Sequence, residues 1–216
     1  MWDFRLAAIG ALLLAGCIAQ PQEHKLATSV TETFAPPSGP SCLNELKLRQ
    51  ASFMPLTDRI YGRGCATADA VRLISLHSDG GTIMLTGLGP LSCPMAERMA
   101  GWARFGIDRA ARQYLGSPIV RIDTMGSYNC RDVVGTQRLS AHATANAADI
   151  GGFVLADGRH ISILGKWSAG SKAEQAFLRV VHASACKRFS TVLSPAYNAA
   201  HHDHLHIEIG AGQGCR

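Results

Sequence analysis

Two short histidine-bearing stretches, one mid-chain and one near the end, constrain this fold more than any other feature. The first is Ser140-Ala141-His142-Ala143-Thr144-Ala145-Asn146-Ala147-Ala148-Asp149, and the second is His201-His202-Asp203-His204-Leu205-His206. A catalytic zinc ion takes three protein ligands and keeps one position open, and His and Asp are both suitable donors. Only small residues separate most of the path from His142 to Asp149, so a loop ending in a strand can place both on one ion. The third ligand then has to come from the second stretch. His204 and His206 are i and i+2, which a strand turns to the same face. One can bind metal while the other meets substrate or water. A histidine-rich tract can also be a solvated loop. The Ile207-Glu208-Ile209 alternation that follows reads instead as strand. The chain must therefore fold so that a loop–strand junction meets a C-terminal strand.

The rest of the sequence suits an exported protein. Its 216 residues fit one domain with an N-terminal extension. A hydrophobic fraction of 47% supports a packed core and excludes a disordered chain. The net charge of +5 is mild and matches an anionic surface such as a cell wall or acidic lipid. Lys and Arg are scattered rather than clustered on one element with aromatics, which argues against nucleic acid as a partner.

Residues 1–16 read as a signal peptide. The apolar run Leu6 to Ala15 follows Arg5 and is too short to span a bilayer, which needs about 20 residues. It ends in Leu14-Ala15-Gly16-Cys17, a lipobox that predicts lipidation of Cys17. Ile18, not an aspartate, comes next, and this favours the outer membrane. The expected location is the periplasmic side of the bacterial envelope, anchored to the membrane by lipid. A plain signal peptide would instead release the chain into the periplasm. Residues 17–40 are polar and proline-rich and read as a flexible tether. The domain is expected over residues 41–216, as a monomer. Six cysteines remain beside Cys17: Cys42, Cys65, Cys93, Cys130, Cys186 and Cys215. An even number in an oxidising compartment predicts three disulfides. Sequence alone does not choose the pairing. The one set down here is Cys130–Cys186, Cys42–Cys65 and Cys93–Cys215, with a bridge at Cys130 bracing the wall beside Arg131.

Periodicity predicts strands at 71–76 and 82–86 joined by the Asp79-Gly80-Gly81 turn. A helix follows from a Ser92 cap to about Leu115, with Met95, Met99, Trp102, Phe105 and Ala110 inward. Strands follow at 117–122 and 147–155, and Asp157-Gly158 turns the second of these into 160–163. A helix over 172–188 buries Ala176, Phe177, Val180, Val181 and Ala185, and residues 205–209 form a last strand. Helices alternate unevenly with hairpin-paired strands. The expected fold class is α+β, with a small, mainly antiparallel sheet carrying the zinc site and flanked by helices.

Ser140-x-His142-x6-Asp149 followed by His204-x-His206 resembles the signature of the zinc peptidase superfamily named for lysostaphin, D-alanyl-D-alanine carboxypeptidases and Hedgehog. More narrowly, the chain resembles the bacterial extensin-like C-terminal domain family. Ser127-Tyr128-Asn129-Cys130-Arg131, Leu139 to Phe153, the Trp167 segment, Phe177 to His182 and Leu193-Ser194-Pro195-Ala196-Tyr197-Asn198 carry that likeness. The resemblance implies one zinc ion held by His142, Asp149 and His206. It implies a catalytic acidic residue at Asp203, an oxyanion-facing Arg131, a substrate contact at Ser140, and His204 supporting water or oxyanion. The implied function is a peptidoglycan hydrolase of D,D-carboxypeptidase or D,D-endopeptidase type. The alternative is a non-catalytic lipoprotein that binds zinc or the cell wall. The superfamily usually has glycine where this chain has Ala145, so a turn needing positive φ is expected to be strained here.

Overall fold

The computed structural model describes residues 39–216. The expected signal peptide, the expected lipobox with Cys17 and most of the expected tether lie outside the described residues. A helix, α1 (Gly39–Leu48), begins two residues before the expected domain boundary. Strand β1 (Ser52–Pro55) follows, then the hairpin β2 (Arg59–Gly62) and β3 (Cys65–Thr67). The predicted hairpin is present as β4 (Ala70–Ser78) and β5 (Gly81–Thr86).

After β6 (Leu91–Ser92) comes the predicted long helix, in three parts. These are α2 (Cys93–Trp102), a π-helical segment Ala103–Asp108 and α3 (Arg109–Leu115). Ser92 Oγ accepts from Met95 N–H, and Gly116 ends α3 with φ +70°. Phe105 does not face inward as expected and is 41% exposed. The wider π turn shifts the buried stripe from Trp102 to Ile107 and turns Phe105 outward, where Arg104 and Arg109 cover its ring.

Strand β7 (Ile119–Gly126) starts two residues later than expected and runs four residues further. Strand β8 (Ala147–Leu155) matches its apolar run, and the short β9 (His160–Ser162) folds back on it. Ser162 caps the short α4 (Ile163–Lys166). Helix α5 (Lys172–Cys186) opens with a capping box between Ser171 and Glu174. Strands β10 (Thr191–Leu193), β11 (Leu205–Glu208) and β12 (Gly214–Cys215) complete the domain.

One sheet contains ten of these strands, so it is large rather than small. Its spine runs β1-β4-β5-β7-β8-β11-β10-β12, with β6 beside β4 and β9 beside β8. The pairs are antiparallel except β5–β7 and β10–β12. The β5–β7 pair is parallel because the long helix crosses over between them. Trp102, Phe153, Phe177, Ile107 and Ile122 are fully buried in the core. Trp102 Nε1–H donates to Val181 O of α5 at 3.3 Å, so the largest core side chain also satisfies its one polar atom.

All six expected cysteines are bridged, but with different partners: Cys42–Cys93, Cys65–Cys130 and Cys186–Cys215. None of the three pairs expected from sequence forms. Helix α1 packs along α2 and sets Cys42 beside Cys93 at 6.1 Å between Cα atoms. Strand β3 lies against the segment after β7, and the end of α5 meets β12. These Cα separations of 5.6 and 5.5 Å suit a disulfide. The expected bridge at Cys130 does brace the wall beside Arg131, with Cys65 as its partner.

Candidate metal centre

The site forms where β8 and β11 pair. Asp149 on β8 and His206 on β11 are direct cross-strand partners, and Gly126 of β7 lies opposite Asp149 on its other side. His142 sits on a 3₁₀ turn, Ala141–Thr144, that leads into β8. Ser140 Oγ caps this turn by accepting from His142 N–H. Ser140 was expected to touch substrate. It is 6% exposed, and its hydroxyl caps the turn that carries His142.

Ala145 ends the turn with φ +56° and ψ +24°. The left-handed turn is thus made, with alanine rather than glycine in it. The Ala145 N–H donates to His142 O, and Ala145 O accepts from Ser92 N–H at 2.8 Å. The ligand positions still converge.

His206 Nδ1 lies 3.0 Å from Asp149 Oδ1, and His142 Nε2 lies 3.3 Å from the same oxygen. The two ring nitrogens are 3.2 Å apart. Tetrahedral zinc with bonds of about 2.0–2.1 Å spaces neighbouring donors by about 3.3 Å, so all three separations fit one ion. The opposite ring nitrogens decide the tautomers. His142 Nδ1 faces the Ser127 carbonyl, which can only accept, so Nδ1 carries the proton. His206 Nε2 faces Glu208 Oε2 at 3.0 Å, which likewise accepts. In the neutral rings the inward nitrogens are therefore bare lone pairs, aimed at each other and at a carboxylate. Such a convergence could hold a cation at its centre, and backing of both histidines by acceptors is how metal-binding histidines are oriented.

Burial disfavours charge on His206, but Asp149 and Glu208 outweigh it and hold its pKa up at about 9. Burial also opposes the Asp149 charge, and its close contacts with His142 and His206 override it, leaving Asp149 far below the usual carboxylate range. Glu208 is held low in the same way by His206 and Thr191.

His204, just before β11, points its Nε2 at Asp149 Oδ1 from 3.6 Å. Its Nδ1 is 2.8 Å from Asp203 Oδ1, and this bond keeps the Asp203 carboxyl below its ordinary pKa. Asp203 therefore stands behind His204, and His204 is the member of the pair that faces the ligands. Arg131 is exposed and lines a cleft of about 90 Å³ with Met125, Tyr128, His142 and Asp149. It forms no ion pair among the described residues. The Tyr61 ring packs on Tyr128 at 5.3 Å, and Arg63 pairs with Asp132 at 3.1 Å, fastening the β2–β3 hairpin to this wall.

Three features of the site were not among those expected from sequence. Glu208 was legible, two residues after His206 on the same strand face. The Ser127 carbonyl was not, because every residue has one. His201, given no use from sequence, packs its ring 5.1 Å from His204 and 6.0 Å from His206. His202 is exposed and bonds Ala199 O. A second cluster, His182, Cys186 and Cys215, also draws donor atoms together. Its two sulfurs are joined in a disulfide, so it presents one free donor.

Residues 40–216 match the family model described as extensin-like protein C-terminus, and the chain belongs to that family. No curated protein matches the chain. No solved structure matches it either.

Proposed function

We propose, with membership of the extensin-like C-terminal family as the premise, that this chain is a zinc-dependent peptidase acting on peptidoglycan peptides. Its type is D,D-carboxypeptidase or D,D-endopeptidase, within the lysostaphin, D-alanyl-D-alanine carboxypeptidase and Hedgehog superfamily. The observation that carries this reading is the convergence of His142 Nε2, Asp149 Oδ1 and His206 Nδ1 at mutual separations of 3.0, 3.2 and 3.3 Å.

Zinc, when bound by these three residues, supplies a Lewis acid that polarises the scissile carbonyl and acidifies water. His204 Nε2 accepts the proton as water adds to the carbonyl carbon. It returns that proton to the amine as the C–N bond breaks. Asp203, bonded to His204 Nδ1, offsets the charge the ring carries between the two transfers. The Arg131 guanidinium, free of an ion pair among the described residues, faces the oxyanion that develops on the carbonyl oxygen. The Cys17 lipid holds the domain at the periplasmic face of the outer membrane, within reach of the wall.

The test is incubation of zinc-loaded protein with muropeptides, followed by mass analysis. Wild type is expected to release D-alanine or split cross-links. Asp203→Asn should keep zinc and lose most cleavage, while His206→Ala should lose both. A wild type that binds zinc yet leaves every muropeptide intact would overturn the peptidase reading in favour of a non-catalytic wall-binding or zinc-binding lipoprotein.

A further inference from the structure

We propose that Glu208 is a positioning residue that fixes the His206 ring so that Nδ1, not Nε2, is offered to the metal. This role rests on the metal reading above. Glu208 and His206 are i and i+2 on β11, so both side chains leave the same face. Glu208 Oε2 meets His206 Nε2 at 3.0 Å.

Glu208 is itself held from the side. Thr191 is its direct partner across the β10–β11 pair and helps hold its carboxyl below the ordinary range. Strand β10 is paired on its other edge with β12, which Cys215 ties to the end of α5. The carboxylate therefore sits on a strand fixed on both flanks.

A free imidazole can bind metal through either nitrogen. A carboxylate at Nε2 removes that choice. The opposite tautomer would set a lone pair against the Glu208 oxygen and an N–H into the space between His142 and Asp149. The carboxylate also draws on the Nε2 proton and makes Nδ1 a better donor. His142 has a neutral carbonyl in the equivalent place. The two ligand histidines are therefore unequal, and only His206 depends on a charge for its orientation.

The experiment measures zinc affinity by chelator competition for wild type, Glu208→Gln, Glu208→Leu and Thr191→Val. Nitrogen-15 ring shifts of His206 are recorded in the zinc-loaded proteins. Glu208→Leu is expected to weaken zinc binding about 10–100-fold. Glu208→Gln should lose less, because its carbonyl still accepts, and Thr191→Val less again. Wild type and Glu208→Gln should show a protonated Nε2 and a metal-bearing Nδ1. Melting curves of the metal-free proteins report whether each variant folds. Where Glu208→Leu does not fold, the ring shifts of Glu208→Gln decide. Folded Glu208→Leu that binds zinc as tightly as wild type, or metal on Nε2 of wild type, overturns this role alone. A wild type that binds no zinc overturns the metal reading and this role with it.

Discussion

Replacing Ala145 with glycine should leave both stability and zinc affinity nearly unchanged. Ala145 holds φ +56° and is completely buried. The left-handed conformation costs an L-residue about 1–2 kcal/mol, and glycine would relieve that strain. Two effects oppose the gain. The buried methyl contributes about 0.8 kcal/mol. Glycine also gives the unfolded chain more freedom, worth about 0.4–1 kcal/mol. The opposing sums overlap, so the net change stays within about 1 kcal/mol of zero, a melting shift of less than about 4 °C. Zinc affinity should hold because the turn already has the shape glycine would favour. Ala145→Val provides the contrast. A β-branched residue tolerates this φ poorly and should lose about 2 kcal/mol or more. Thermal melts of metal-free protein and chelator competition measure both quantities. A rise in zinc affinity on the order of tenfold in Ala145→Gly would contradict this expectation. It would mean that alanine holds His142 away from its productive place.

Further outcomes follow from the same geometry. In metal-free protein, His206 rises from 6.5 to about 9 on folding, so its contribution is complete below pH 6.5 and lost as pH climbs through 9. Asp149 is depressed from 3.8, so its contribution holds above that value and is lost as pH falls. These are one ion pair seen from both partners, worth at most about 3 kcal/mol, and urea melts should find greatest stability near pH 5–6. Arg131→Ala should lower kcat about 100-fold on a cleaved muropeptide while zinc affinity holds; equal activity would remove Arg131 from the oxyanion role. The double variant Cys65→Ser, Cys130→Ser opens a loop spanning 65 residues and should cost about 4 kcal/mol in urea unfolding. No change in its midpoint would show that the hairpin contributes nothing to holding the cleft wall.

What sequence revealed follows from where the physical signal is local. Strand β8 was legible to the residue because an unbroken apolar run between turn formers has few alternatives. The nearness of His142, Asp149 and the second histidine stretch was legible because metal chemistry limits the donor types, while the choice of His206 over His204 rested on the family resemblance. Helix α1 was hidden in a polar, proline-rich context, and its stability comes from Cys42 and Leu46 packing against α2. Phe105 was misplaced because ideal helical spacing takes no account of a π turn. The disulfides were mispaired because nearness along the chain says little about nearness across a ten-stranded sheet. Asp203 and His204 were each expected at the site. Their order, with His204 forward and Asp203 behind, depends on side-chain directions that only the fold sets.

Zinc K-edge X-ray absorption on the purified, equimolar zinc-loaded protein reads the metal's neighbours themselves. A shell of nitrogen and oxygen neighbours at about 2.0–2.1 Å is expected, with outer-shell scattering from two imidazoles. His142→Ala should remove one imidazole from that pattern. A sulfur shell at about 2.3 Å, or protein that retains no zinc, would contradict it.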